Sequence, residues 1–423
     1  MSNVQSTNQN PNYRKLLPYL SNQQFDESYA LISHYIQLQG TSEAVEYKKI
    51  LLERGIDIDH LPTTESFNEE FCIPFPANEG AKFTFIDLFA GIGGFRLAMQ
   101  KLGGRCVFSS EWDDAAKQTY FENYGEVPFG DITKPETKAL IPESFDILCA
   151  GFPCQPFSYS GQKLGFRDKT KGTLFFDVCE ILKERQPQAF FLENVKGLVS
   201  HENGKTVETI RTILTEELGY DIHEGVLCSL DFGLPQKRER WYCVGFKRKS
   251  KFEFPKGTSK GAVLRDIVDL DDHDPSLALP KFEIDRIRYH FEHADEEIRV
   301  QHDNSKYAPN TKKGKYGVFS YQKPDGSLRF HVGDPAKTQI QEAFYSCLDS
   351  YASTIIANRT PKLWDIERKL SVRESARLQG FPDEFKIPVS AAQAYKQFGN
   401  SVSVPVLTEI VKCMLQHLEL EGE

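Results

Sequence analysis

No run in this 423-residue chain approaches the roughly 18 consecutive apolar residues that a membrane span requires. The opening MSNVQSTNQNPNYRK lacks the apolar core of a secretory leader, so no export signal is expected. None of the nine cysteines stands in a C-x-x-C pair, which argues against a zinc ribbon or a thioredoxin-like centre; no metal is expected. Free thiols in a reducing cytosol are the simplest setting, and a cytoplasmic location is expected. There is no internal repeat and no low-complexity tract. The balance of 40% hydrophobic and 26% charged residues is that of an ordinary globular protein. The length suits two or three domains, or one large α/β domain with an appendage.

Net basic charge is also lacking. The formal charge is −9, which argues weakly against a nucleic-acid partner. Its distribution weakens that objection. Residues 1–80 hold 11 acids and 5 bases, whereas 237–260 hold nine Lys/Arg against Glu239 and Glu253. Residues 266–297 swing back, with eleven acids and three bases. So uneven a chain can present one basic surface while remaining acidic overall. Composition alone would also allow 237–260 to be a solvated loop and strand.

From about 13 to 55 the pattern is helical, with Tyr29, Ile32, Tyr35 and Ile36 at three-to-four spacing. Pro62, Pro74 and Pro76 among acidic residues mark 60–80 as a linker. Strand-like runs then alternate with helical ones: FTFIDLF (83–89), CVFSS (106–110), FDILCAG (145–151), AFFLENV (189–195), HEGVLCS (223–229) and RWYCVGF (240–246). Repeated strand–helix–strand implies a largely parallel, doubly wound α/β sheet. The pattern degrades over 250–350, as a smaller separate unit would, and helical periodicity returns from 371.

FAGIGGF (89–95) follows the first strand and opens a helix. Gly91, Gly93 and Gly94 allow a tight turn that brings backbone N–H groups close to a ligand. The dinucleotide fingerprint needs a further glycine where Arg96 stands, so a nicotinamide-dependent dehydrogenase is excluded. The turn instead suits a nucleoside carrying a carboxylate and an amine, such as S-adenosylmethionine. Glu111, ending the next strand, is placed to bind ribose hydroxyls, and Trp112 to pack on adenine. Asp131, near the end of a third strand, is placed to accept from the adenine amino group. Taken singly, Glu111 and Asp131 read equally well as helix caps; one acid per successive strand end favours the joint reading.

GFPCQPFS (151–158) follows the strand expected at the sheet centre. Pro153 and Pro156 restrict the loop around Cys154, whose thiolate would act as a nucleophile. Glu193, ending an otherwise apolar strand, would face the same crevice. A thiolate beside a glutamate that keeps its proton can add to an electron-poor ring while the acid protonates it. In QKRER (236–240), Arg238 and Arg240 fall on one side of a strand, spaced to hold a phosphate and a ring carbonyl. A surface charge run is the alternative if that strand is an edge.

In this order, FxGxGG, GFPCQPFS, ENV (193–195), QKRER, RESARLQGFP (373–382) and YKQFGNSV (395–402) resemble the DNA cytosine-5 methyltransferases of bacterial restriction–modification systems. The resemblance covers roughly 83–250 and 368–418. It implies a Rossmann-like S-adenosylmethionine-dependent domain over 81–250, completed by 366–423. A smaller, irregular β-containing target-recognition domain would fill 251–365, and residues 1–80 would be a helical extension that packs or dimerises. It implies a cofactor pocket of Phe89, Gly91, Gly93, Gly94, Glu111, Trp112, Asp131, Ile132, Pro153, Leu174, Asn400 and Ser401. The target cytosine would be flipped out of double-stranded DNA. Cys154 would attack C6, Glu193 would bind N3 and the exocyclic amine, Arg240 would contact O2, and Arg238 would support phosphate and loop. Gln155, Ser158 and Ser160 belong to the loop expected to close over DNA, and Lys/Arg in 237–260 would share the phosphate contacts. A monomer is expected, with a possible cognate endonuclease acting on the same site. Ser403 departs from the family's apolar run after GNSV and is expected to be tolerated. The alternatives are an RNA (tRNA) cytosine methyltransferase, whose Cys-Phe-Thr signature is absent, and a silent DNA-binding relative.

Overall fold

Alternate residues of each central strand enter opposite hydrophobic layers, so the sheet that carries the site is covered on both faces. In the computed structural model, which describes residues 26–153, 174–257, 261–294, 299–302, 318–332, 341–357 and 359–418, the main sheet contains six strands. They are β1 (Phe83–Leu88), β2 (Gly104–Ser110), β3 (Ile147–Gly151), β4 (Ala189–Val195), β5 (Asp221–Cys228) and, after a two-residue β6 (Gln236–Lys237), β7 (Glu239–Phe246). Their order is β2-β1-β3-β4-β7-β5. All are parallel except β7, which runs antiparallel to both neighbours. The chain leaves β1 toward β2 and returns past it to β3, so the order reverses between β1 and β3. Ligand crevices form at such points.

Leu148, Ala150, Phe190, Leu192, Trp241 and Cys243 face one layer. Ile147, Cys149, Ala189, Phe191, Tyr242 and Val244 face the other. This two-residue alternation, with every position apolar, is what a doubly covered sheet demands. The covering helices are α1 (Asp26–Gln37), α2 (Ser42–Glu53), α3 (Thr64–Phe71), α4 (Gly94–Lys101), α5 (Asp114–Tyr124), the single turn α6 (Pro135–Lys138), α7 (Leu174–Arg185) and α8 (Lys205–Thr212). They are followed by α9 (Lys281–His293), α10 (Val372–Leu378), α11 (Ala391–Asn400) and α12 (Val404–Leu415).

Residues 60–80, expected as a linker, instead contain α3, capped by Thr63 and anchored by buried Phe67 and Phe71. The prolines bracket this helix rather than dissolve it, as they lie outside its hydrogen-bonded turns. Tyr29, Ile32, Tyr47 and Phe67 join the same hydrophobic layer as Ile86 and Val107 of the sheet. Tyr47 donates its hydroxyl to the Val107 carbonyl at 2.8 Å. At roughly 1.5–3 kcal/mol for each large side chain removed from water, this layer is part of the main core. The third strand expected near 129–131 is reduced to one bridge between Ser110 and Phe129.

The smaller unit contains an antiparallel sheet in the order β11-β10-β9-β8: β8 (Val300–His302), β9 (Val318–Gln322), β10 (Leu328–Val332) and β11 (Gln341–Tyr345). Leu328, Phe330 and Tyr345 on its inner face pack with Leu279 and Ile287. A short strand, β12 (Ala352–Ser353), pairs in parallel with β6, the two residues that lead into β7. Among the described residues, no helix is long and apolar enough to cross a membrane.

Candidate active site

The carboxyl ends of β1 to β4 open on one edge of the sheet, and the glycine turn leaves β1 there. Phe89 takes the left-handed conformation at φ 56°, uncommon for a bulky side chain. Gly91 follows at φ 55° and Gly93 at φ 83°. Tyr124 donates its hydroxyl to the Gly93 carbonyl at 2.7 Å. A Cβ on Gly93 would fall 2.3 Å from that ring, so both conformation and space require glycine. Beside Gly94, Ser401 Oγ and Val402 Cγ2 lie 3.2 and 2.5 Å from where a Cβ would stand. The two ends of the resemblance thus meet at the turn.

Glu111 closes the turn from β2. Its carboxylate accepts from Gly91 N at 2.9 Å, and from Trp112 N and Asp113 N, both at 2.8 Å. Burial pushes this carboxyl up, against the pull of those three N–H groups. Asp113, not Glu111, caps α5. Trp112 is 78% exposed, its ring available to a flat partner. Asp131 accepts from Thr133 N and Oγ1 at 3.0 and 2.9 Å, which fixes the turn after Phe129. Ile132 is buried, Leu174 half-buried at the start of α7, Asn400 exposed at the end of α11, and Pro153 exposed. No described atom lies within 4 Å of a Cβ on Gly91. Open space over a glycine turn, an acid from the next strand and an exposed indole fit an adenosyl cofactor.

At the next strand ends, Gly151 of β3 is in register with Glu193 of β4. A Cβ on Gly151 would stand 3.6 Å from Glu193 Oε2. Asn194 Nδ2 donates to the Phe152 carbonyl at 2.9 Å and holds the chain as it leaves β3. Cys154, Gln155, Ser158 and Ser160 lie outside the described residues. Glu193 is 8% exposed, and Arg240 Nε lies 3.1 Å from its Oε1. Burial raises this carboxyl above the usual range, while Arg240 and then Arg238 pull the other way. A glutamic acid that keeps its proton beside a guanidinium can donate to a ring nitrogen.

Arg238 corrects the sequence reading. It falls between β6 and β7 rather than within a strand. Its guanidinium is 2% exposed and donates to the carbonyls of Ile355 at 2.9 Å, Gly399 at 3.4 Å and Ser401 at 2.5 Å. Its Nη1 and Nη2 groups therefore clasp the segment that follows β12 to the C-terminal motif. Burial and the neighbouring Arg240 push it down to about 9, still protonated at neutral pH. The basic stretch is also divided. Residues 237–240 lie at the crevice end of β7, whereas Lys247, Arg248 and Lys249 follow its far end. At about 3.4 Å per residue those bases are roughly 20 Å from residues 237–240.

Other residues were not singled out as functional from sequence. Asp87, visible as one acid in an apolar strand, is 1% exposed, and burial pushes its carboxyl well above the usual range. Its Oδ2 has no hydrogen-bond partner among the described residues. Ser403 is buried and hydrogen-bonds Ser229 Oγ at 2.7 Å and Gln379 Oε1 at 3.3 Å, which explains a hydroxyl in an apolar run. Gln379 also donates to the Phe398 carbonyl at 2.7 Å. These partners are remote in sequence, so no local pattern marks them.

Residues 83–416 match the family model for the C-5 cytosine-specific DNA methylase. The chain is 46% identical over 344 residues to the type II methyltransferase M.HpaII of Haemophilus parainfluenzae, covering 80% of this chain and 90% of that protein. It is 40% identical over 336 residues to M.HhaI of Haemophilus parahaemolyticus, covering 77% and 92%. A solved structure of Dnmt2 methyltransferase from S. pombe shares the fold at TM-score 0.55 and 17% identity, covering 80% of this chain and 100% of that one. With this crevice and these relatives, the chain belongs to the C-5 cytosine-specific DNA methylase family.

Proposed function

We propose that this enzyme methylates C5 of a flipped-out cytosine in double-stranded DNA through a transient bond between Cys154 and C6. The observation that carries this is the ion pair of buried Glu193 with half-buried Arg240 at the carboxyl end of β4, beside the strand end that leads into GFPCQPFS. The Cys154 thiolate adds to C6. Glu193 holds or delivers a proton at N3 and accepts from the exocyclic amine, and Arg240 steadies Glu193 and meets O2. C5 then carries the electron density released by the addition. S-adenosylmethionine, bound over the glycine turn against Glu111, Trp112, Asp131, Ile132 and Leu174, would supply the activated methyl group. A base removes the C5 proton, the C5–C6 double bond reforms and the thiolate leaves.

Residues 251–365 form the target-recognition unit on this reading, and Gln155, Ser158 and Ser160 close over the DNA. Arg238 acts as a positioning residue. The enzyme works as a monomer in the cytoplasm, since one flipped base needs one active site. It protects host DNA beside a cognate endonuclease, in keeping with relatives named type II methyltransferases.

The test is base-resolution sequencing of 5-methylcytosine in plasmid from a methylation-free host, with Cys154→Ala in parallel. Methylation at one short motif, lost in the variant while S-adenosylmethionine binding survives, is expected. Methylation retained by Cys154→Ala would overturn the covalent step. Transfer to tRNA but not to duplex DNA would overturn the substrate.

A further inference from the structure

Phe89 and Gly93 hold the glycine turn in left-handed conformations, at φ 56° and 83°. A turn of this kind keeps its shape only where its surroundings over-determine it. Gly93 offers no side chain to cap α4, so contacts from elsewhere must fix the turn. Two of them come from one short segment. Tyr124, the last residue of α5, donates to the Gly93 carbonyl at 2.7 Å. Glu126, two residues on, accepts from both Nη groups of Arg96, in the first turn of α4, at 2.5 and 2.7 Å. The Arg96 guanidinium also lies over the Tyr124 ring, 4.8 Å from its centroid. All three side chains are buried.

The other side of that segment is held by α1, far upstream of the first motif. Val127 N donates to Ser33 Oγ at 2.9 Å, and that hydroxyl donates to the Ala30 carbonyl at 3.1 Å. His34 Nδ1 hydrogen-bonds the same carbonyl at 2.8 Å. Its Nε2 then faces Glu126 Oε2 at 3.4 Å and Ser109 Oγ at 3.5 Å. The His34 ring packs on Phe129 with centroids 4.6 Å apart. Gln37 closes over Gly125 so tightly that a Cβ there would fall 2.5 Å from its Nε2. Positions 33, 34 and 37 share one helix face, and all three side chains are buried. In a dry interior the energy of a bidentate ion pair depends steeply on where its partners stand. A shift of residues 125–127 would therefore be felt at Arg96 and Tyr124.

We propose that Ser33 and His34 of α1 are positioning residues for the cofactor. By holding residues 125–127 they set Tyr124 and Glu126, and through these the glycine turn on which S-adenosylmethionine would lie. The inference rests on the proposed cofactor and concerns its binding, not the chemistry at the cytosine. It gives the N-terminal helices a role beyond filling the core.

The experiment measures S-adenosylmethionine affinity of the full-length chain by titration calorimetry. DNA affinity, single-turnover transfer at saturating cofactor, and hydrogen exchange over the glycine turn of the cofactor-free chain are measured beside it. The variants are Ser33→Ala, His34→Ala, Tyr124→Phe, and His34→Ala combined with Tyr124→Phe. Leu51→Ala, which opens a cavity in the same core under α2, is the control for lost stability. Ser33→Ala and His34→Ala are expected to weaken cofactor affinity by roughly 2- to 30-fold and to speed exchange at the turn. DNA affinity and the saturated rate should stay near the parent's. The combined variant should lose less than the product of its members. Leu51→Ala should lower the melting temperature and keep cofactor affinity. Parental cofactor affinity in both α1 variants would overturn the inference. So would an equal loss in Leu51→Ala, which marks general loosening of the core, or full multiplicativity in the combined variant. Ser33→Ala, the milder change, decides where His34→Ala fails to fold. A parent that binds no S-adenosylmethionine would instead fail the cofactor reading on which the inference rests.

Discussion

Arg240 Nε meets Glu193 Oε1 at 3.1 Å across the antiparallel pair of β7 and β4, inside a crevice where burial raises the glutamate above its ordinary range. A raised carboxyl keeps its proton to higher pH, so the proton-bearing form fades as pH rises through its pKa. Single-turnover methyl transfer is therefore expected to lose a limb on the alkaline side of that pKa. Glu193→Gln should slow transfer by about 10²- to 10⁴-fold, abolish that limb and leave cofactor affinity near the parent's. An unchanged pH–rate profile in the variant would assign the limb to another group.

Arg238→Met would strand the carbonyls that the guanidinium now satisfies. A buried polar group left without its partner costs about 1–3 kcal/mol, so a lowered melting temperature and raised KM for both substrates are expected. The slope of DNA affinity against salt should be unchanged, because its Nη groups are bound to backbone carbonyls. A slope reduced by about one would restore the role expected from sequence.

Arg96 holds Glu126 by two bonds, 2.5 and 2.7 Å, with neither side chain exposed, and its guanidinium lies over the Tyr124 ring at 4.8 Å. Removing one partner leaves a buried charge, and Arg96→Met or Glu126→Leu should each cost about 3–5 kcal/mol in urea unfolding. Combining Arg96→Met with Glu126→Leu should cost less than the sum. Full additivity would deny the coupling.

His34, wholly buried in α1, hydrogen-bonds the Ala30 carbonyl at 2.8 Å and lies 3.4 Å from Glu126. Burial pushes its pKa down against the attraction of that glutamate. The unfolded chain thus binds this proton more readily than the folded one. Stability is full above the ordinary histidine pKa of about 6.5 and falls as pH drops below it. His290 and His302 are also lowered, chiefly by burial, and act with the same sign. His34→Gln should reduce the acid-side slope of the urea midpoint without abolishing it. An identical slope would show that His34 does not titrate on unfolding.

The strands, the glycine turn and Glu193 at the end of its strand were legible in the sequence because each is a local pattern. Strand residues destined for a doubly covered sheet must be apolar at successive positions, and a tight turn must place glycine where φ is positive. Those constraints act within a few residues, so they are written contiguously. Contacts between distant segments are not. In sequence Arg238 reads as the strand partner of Arg240, and only its approach to Ile355 and Ser401 makes it a clasp. The prolines of 60–80 suggested a linker, yet the buried faces of Phe67 and Phe71 decide for a helix. The basic stretch seemed one feature until the direction of β7 sent its two ends to opposite edges of the sheet. Backbone geometry and hydrophobic alternation are properties of neighbours along the chain, whereas charge pairing and site assembly depend on which segments the core brings together.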